Sequence, residues 1–219
     1  MAICCPHVQF HQEVFGIPGF LRDPILIMGV QDVFHGAPDI DEAFPGATVR
    51  EWLLSKGHTD VREVDFQDAR AELRIDLSKP HPLPSQANTI IDIGTIEHVA
   101  NPHVVLQNYV SWLAIGGHLY IHTPVRGHCM HGLFTFSPEY IPRTLKNNGF
   151  EIVHERYCGW LVLDIEPDPT YETVQTCSDQ NILGWYVARK LREPKMIDGA
   201  VVLETIQQGR YDTGDSDNA

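Results

Sequence analysis

Positive charge is in short supply in this sequence. Its 219 residues hold 16 Lys and Arg against 29 Asp and Glu, for a formal net charge of −13. A protein that grips a free duplex shows a basic face, so nucleic acid is not an expected partner. Long apolar runs are also missing: none approaches the roughly 18 residues that span a bilayer. The opening MAICCPHVQFHQEVF lacks the basic and then apolar regions of a secretory signal. No membrane partner is expected. Cysteine is sparse, with five residues, an odd number, and no Cys-x-x-Cys pair. That usage reads as a reduced, cytoplasmic chain. Cys4 and Cys5 could bind a metal with His7, but they lack a second pair of thiols. Repeats and low-complexity linkers are absent, and SKPHPLPSQ is short enough to be a loop.

What is present is apolar surface and histidine. The chain is 43% apolar and 21% charged, enough to bury one good core. A single domain over residues 1–202 is expected, with residues 1–20 as an N-terminal extension. Residues 203–219, ending YDTGDSDNA, read as an acidic, flexible tail. Twelve histidines are many for this length, and His118, His122, His128 and His131 fall within fourteen positions.

Apolar runs alternate with amphipathic ones. PILIMGV reads as a buried strand. ATVREWLLSKGH puts Val49, Trp52, Leu53 and Lys56 at helical spacing, with Gly57 as a stop. TDVREVDF and AELRIDL alternate as a second and third strand. ANTIIDIG is apolar with little alternation, as a central parallel strand should be. PHVVLQNYVSWLAIGG predicts a helix closed by Gly116-Gly117, and HLYIHTP a fifth strand. SPEYIPRTLKNNGF predicts a helix capped by Ser137, with Pro138 in its first turn. EIVHERY and GWYVARKL read as further strands. Such alternation implies an open, mostly parallel α/β sheet with helices on both faces. Ligands then sit beyond the carboxyl ends of the strands. That places Gly29 to Val33, Asp65, Asp76, Asp92 to His98 and His122 to His131 in question.

The segment TIIDIGTIEHVANPHVVLQNYVSWLAIGGHLYIHTP resembles the fourth-to-fifth-strand region of class I S-adenosylmethionine-dependent methyltransferases. The matching elements are Ile91-Asp92-Ile93, Glu97-His98-Val99, Asn101-Pro102, Gly116-Gly117 and Thr123-Pro124. SPEYIPRTLKNNGFEIV resembles the helix and Gly-Phe strand entry that follow, and HGLFTFSPE resembles a segment of a bacterial subgroup. The match runs from about Asn88 to Val153. It implies a Rossmann-like class I methyltransferase sheet and S-adenosylmethionine (SAM) as cofactor. The pocket would start at Gly29, with Asp65 on the ribose, Asp76 near the adenine and Asp92 alongside. The departure lies in ILIMGVQDVFHG. Gln31 and Val33 stand where the glycines of a Gly-x-Gly-x-Gly turn would be, and valine disfavours positive φ. Gln31 could instead offer its amide to the cofactor carboxylate.

Methyl transfer to oxygen or nitrogen needs alignment and a proton acceptor. Histidine suits that role near neutral pH, which makes His98, His128 and His131 the candidate catalytic residues. His122 and Arg126 are the candidate substrate contacts. A metal site built from His122, His128 and His131 with Asp92 or Glu97 is a second reading of the same histidines; the preferred reading has no metal. Phe134, Phe136, Tyr140, Tyr157 and Trp160 could roof a pocket but read more readily as packing groups. The expected function is SAM-dependent methylation of oxygen or nitrogen on a small molecule, such as a sugar or natural-product intermediate. A homodimer is compatible with it. The alternative is a methyltransferase-fold protein without methyl transfer, acting as a binding subunit or through metal chemistry. The path of Gly29 to Val33 separates the two.

Overall fold

The computed structural model describes residues 2–3, 7–35, 38–83, 85–159, 181–197 and 200–204. Trp160 and most of the expected tail lie outside them. Five helices are described: α1 (Val8–Phe15), α2 (Pro38–Ala43), α3 (Val49–Ser55), α4 (Pro102–Trp112) and α5 (Tyr140–Asn147). The principal strands are β2 (Ile25–Met28), β4 (Val61–Val64), β5 (Ala87–Ile93), β6 (Leu113–Arg126), β7 (Phe150–Gly159) and β8 (Ile182–Lys190). Two small pairs accompany them, β1 (Ala2–Ile3) with β3 (Asp32–Val33), and β9 (Met196–Ile197) with β10 (Ala200–Val201). No described helix is long and apolar enough to cross a membrane.

The main sheet has the order β4-β2-β5-β6-β8-β7. Its first four strands are parallel, and β8 runs antiparallel to both β6 and β7. This is the open, mostly parallel α/β sheet that the alternating pattern implied, in the Rossmann-like form that the resemblance implied. Each face carries its own core. Leu119 and Ile121 of β6 pack with Tyr109 and Trp112 on the face of α4 and α5. Tyr120 of the same strand points the other way and joins Phe20, Phe44, Trp52 and Trp185. Strand parity, not sequence distance, therefore sorts the side chains.

The N-terminal extension is part of this second core. Val8, Phe10, His11 and Val14 of α1 are buried, and each fully buried apolar side chain stabilises by about 1.5–3 kcal/mol. Contacts also reach the start of the C-terminal segment. Leu203 is buried in the first core, and the Glu204 N–H donates to Asn148 Oδ1 at 3.0 Å. The first two residues of the expected tail thus pack onto the domain.

Three element boundaries differ from those read in the sequence. AELRIDL keeps Ile75 and Leu77 buried, but it pairs with β4 only at a Val64–Leu73 bridge. Asp76 then turns the chain away from the edge by accepting from Ser78 N–H at 3.1 Å. Ser137 lies in a turn ahead of α5, whose cap residue is Glu139. The Pro138 carbonyl there is held by Tyr186 Oη at 3.1 Å. Helix α4 starts as expected, with Asn101 at the cap and Pro102 in the first turn, but stops at Trp112. Its last carbonyls are gathered by the fully buried Lys190, whose Nζ donates to Val110 O (3.0 Å), Leu113 O (2.7 Å) and Glu193 Oε2 (2.7 Å).

Gly116-Gly117 serves the start of β6 rather than the end of the helix. Gly116 has φ 79°, and a Cβ on Gly117 would lie 2.9 Å from Ala114 O and 3.0 Å from Asn88 O. Both atoms are backbone and cannot swing aside. Gly117→Ala should therefore destabilise the protein by about 1–3 kcal/mol, read as a lower urea midpoint with an unchanged slope.

Candidate functional site

The strand ends that face the site are β2 and β4 on one side and β5 and β6 on the other. Met28 is in register with Val64 and with Asp92. Gly29 follows with φ 72°, and its N–H donates to Val64 O at 2.8 Å. This is the turn the sequence suggested. Beyond it the chain runs extended instead of closing into a glycine loop. The Gln31 carbonyl accepts from Val49 N–H at 2.9 Å, and Val33 is buried in β3. No positive φ occurs at Val33, so the conflict between valine and a glycine turn is resolved by a different path.

Gln31 is fully buried and folds back. Its Nε2 donates to Met28 O at 2.7 Å, and its Oε1 has no hydrogen-bond partner among the described residues. The same carbonyl accepts from Thr95 Oγ1 at 2.6 Å. Thr95 thus ties the end of β2 to the turn after β5, and Gln31 closes on the same Met28 carbonyl, at the point where the connections diverge to opposite faces, which is where an open α/β sheet holds its ligand.

The three aspartates fare differently. Asp65 is half-buried. Its Oδ2 accepts from Val30 N–H at 3.3 Å, and its Oδ1 from Gln67 and Asp68 N–H at 2.7 and 2.9 Å. A carboxylate has about four acceptor positions, so Asp65 retains capacity for a ligand. Asp76 is spent on its own turn and on Lys79 Nζ at 2.8 Å. Asp92 is the most enclosed of the three. It is fully buried and accepts from Thr95 N–H (2.6 Å), Ile96 N–H (3.2 Å) and Tyr109 Oη (2.7 Å). Burial, and then the negative charge of Glu97, push its carboxyl up to about 7. Its work is to hold the turn that follows β5.

That turn is a short 3-10 segment, Ile96–His98, and it presents Glu97 and His98. Glu97 is 1% exposed. Its Oε2 accepts from Thr123 Oγ1 at 3.1 Å, and its Oε1 lies 3.7 Å from His131 Nε2. The Glu97 carbonyl accepts from the N–H groups of Leu133 (2.8 Å) and Phe134 (3.1 Å). Gly132 sits against it, since a Cβ there would come within 3.0 Å of Glu97 Cγ and O. The loop after β6 is thereby stitched to the loop after β5. The His98 and His131 rings are 5.2 Å apart, and those of His128 and His131 are 5.7 Å apart. The bond to Glu97 raises the His131 pKa, while burial lowers that of His98. The loop bends sharply, with φ 54° at His128 and 66° at Met130. Arg126, His128, His131 and Asn181 line an open depression of about 760 Å³.

His122 does not belong to this group. Its ring lies 4.0 Å from Trp185, 5.7 Å from His11 and 5.8 Å from His7, inside the second core. Neither ring nitrogen has a hydrogen-bond partner among the described residues, and burial pushes its pKa far down. It is packed among aromatic rings there, and among the described residues the donor atoms of His122, His128 and His131 are not gathered with Asp92 or Glu97 into one metal set. Glu97, His98 and His131 do converge, with one donor atom from each within 4.8 Å of the others. The sequence carried one signal for this, an acid and a histidine directly after a buried strand. It carried none for His7 and His11, whose helix has no apolar letters at those positions.

No family model and no curated protein matches the sequence. Solved structures are similar to it. The chain superposes on the MccD protein with a TM-score of 0.51 at 11% identity, covering 84% of this chain and 95% of that one. A putative methyltransferase from Bacillus halodurans gives 0.49 at 11% identity, over 84% and 99% of the two chains. A SAM-dependent methyltransferase from Methanosarcina mazei gives 0.47 at 16% identity, over 80% and 96%.

Proposed function

We propose that this chain, whose six-stranded sheet has a Rossmann-like α/β order, is a SAM-dependent methyltransferase acting on oxygen or nitrogen of a small molecule. The observation that carries this reading is the histidine loop. It stands at the carboxyl ends of β5 and β6, beside an open depression and against a buried carboxylate.

When bound, SAM supplies an electrophilic methyl carbon on a sulfonium. Two features of the chain fit it: the positive φ of Gly29, which lets a ligand approach the backbone, and the spare acceptor capacity of Asp65 for ribose hydroxyls. Gln31 does not reach outward as the sequence suggested, and Asp92 is enclosed. On the acceptor side, a loop histidine takes the proton released by the attacking hydroxyl or amine. Arg126 in the same depression attracts an anionic arm of the acceptor. A sugar or natural-product intermediate is the acceptor class.

One observation favours a second reading, a binding protein on this fold without methyl transfer. Gln31 and Thr95 fill the point between β2 and β5 with the protein's own hydrogen bonds. Calorimetric titration of the full chain with SAM and its demethylated product separates the two. Binding is expected, weakened about 10- to 100-fold in Asp65→Ala, since hydrogen bonds to a charged group contribute about 1.5–3 kcal/mol. Gln31→Ala should leave the affinity within about twofold, because the side chain faces inward. No binding at millimolar SAM would move the chain to the second reading.

A further inference from the structure

We propose that Glu97, His98 and His131 bind one divalent first-row transition-metal ion. One carboxylate oxygen and two imidazole nitrogens lie within 4.8 Å of one another. Two atoms bound to one ion at about 2.1 Å are at most about 4.2 Å apart. The 3.7 Å separation of His131 Nε2 and Glu97 Oε1 already meets that limit. Donors of a tetrahedral site are about 3.4 Å apart, so the remaining closure is at most about 1.4 Å, within reach of rotation of the surface ring of His98.

The surroundings of Glu97 suit an ion better than a bare carboxylate. The side chain is 1% exposed, and a buried negative charge calls for a positive partner. Thr123 Oγ1 holds one carboxylate oxygen, so the other is aimed at the two imidazoles. An outer hydrogen bond of this kind orients a ligand. Behind it, the N–H groups of Leu133 and Phe134 clamp the Glu97 carbonyl, so the deepest ligand is also the most rigid. His98 and His131 face solvent, which gives the ion a path in. The second histidine group differs: His7, His11 and His122 pack ring against ring around Trp185.

Two imidazoles and one carboxylate select zinc, iron or cobalt over magnesium or calcium, which take oxygen donors. Three protein ligands leave positions open. His131 is shared between the ligand set and the wall of the depression, so those positions open toward Arg126 and His128. The fitting ligand is an anionic small molecule with two adjacent oxygen donors. His131 then acts as a ligand, and His128, with its ring 5.7 Å away, is left as the proton acceptor. This assignment of ligand and proton acceptor rests on the methyltransferase reading; the binding of the ion does not.

The test is a cobalt(II) titration of the full chain, made without an affinity tag and stripped with a chelator. Visible ligand-field bands should saturate at about one equivalent and be displaced by zinc. His98→Ala and His131→Ala should each weaken binding at least about tenfold, while His128→Ala should keep it. His98 lies on the surface, so its variant folds even if changes at the buried Glu97 do not. No uptake would overturn the proposal. So would uptake unchanged in both variants, or accompanied by a thiolate-to-cobalt charge-transfer band. A SAM titration in parallel keeps the two readings apart. Cobalt at one equivalent without SAM binding supports the metal site and removes methyl transfer, whereas SAM binding without cobalt uptake does the reverse.

Discussion

Asp92→Ala should lower the unfolding free energy by about 3–5 kcal/mol, measured by urea denaturation, because it strands three buried donors at once. Those donors are the N–H groups of Thr95 and Ile96 and the hydroxyl of Tyr109, all bonded to a carboxylate with no exposure. The consequence reaches the site, because the turn they hold carries Glu97 and His98. Asp92→Asn should lose less than about 2 kcal/mol, since the amide oxygen still accepts from the turn. The contrast discriminates between roles. If Asp92→Ala lowered SAM affinity while leaving stability intact, Asp92 would be serving the cofactor, and the structural account given above would be wrong.

The second large effect is one of pH, and it arises where α1 packs on Trp185. His7 packs against His122 and Trp185, and burial lowers its pKa to about 4. A histidine with a lowered folded pKa gives full stability above the unfolded value of 6.5. That stability is lost as pH falls from 6.5 toward 4, where the unfolded chain takes the proton and the folded chain does not. Between pH 7.5 and pH 4.5, His7 alone should remove about 2–3 kcal/mol. Burial lowers His11 and His122 as well, in the same sense. Asp92 and Glu63 act oppositely. Their carboxyls are pushed up to about 7, mainly by burial, so they cost stability as pH rises from about 4 to about 7 and return it as pH falls through the same range. The informative quantity is thus the difference between the wild type and His7→Leu, measured at both pH values. The variant should lose about 2–3 kcal/mol less on acidification. Equal losses in the two proteins would show that α1 is not held by a neutral imidazole.

The sequence was most readable where a pattern is set by burial alone. Ile25–Met28, Ala87–Ile93 and the Val49, Trp52, Leu53 stripe needed only apolar periodicity, and each is buried as expected. AELRIDL shows the limit of that signal. Alternation predicts which side chains go inward, as Ile75 and Leu77 do, but not whether a neighbouring strand stays close enough to pair. The site was harder to read. Asp92 has the letters of a ligand-facing acid, yet it sits in register with Ile121 and points into the first core. His118, His122, His128 and His131 are neighbours in sequence. The alternation of β6 turns His122 into the second core, and only the loop beyond the strand brings His131 back to Glu97. Contacts between residues 34 apart in sequence, such as His131 with Glu97, leave no periodicity to detect.

Lys190 has a use beyond holding the end of α4. It is a primary amine with 0% exposure, enclosed by two carbonyls and a carboxylate. An acylating reagent can reach it only when β8 parts from α4, whereas Lys56 and Lys146 are open throughout. The modification rate of this one amine, followed by peptide mass spectrometry against those two, would therefore act as an internal clock for opening of the sheet. It needs no engineered label and can be read in a cell extract.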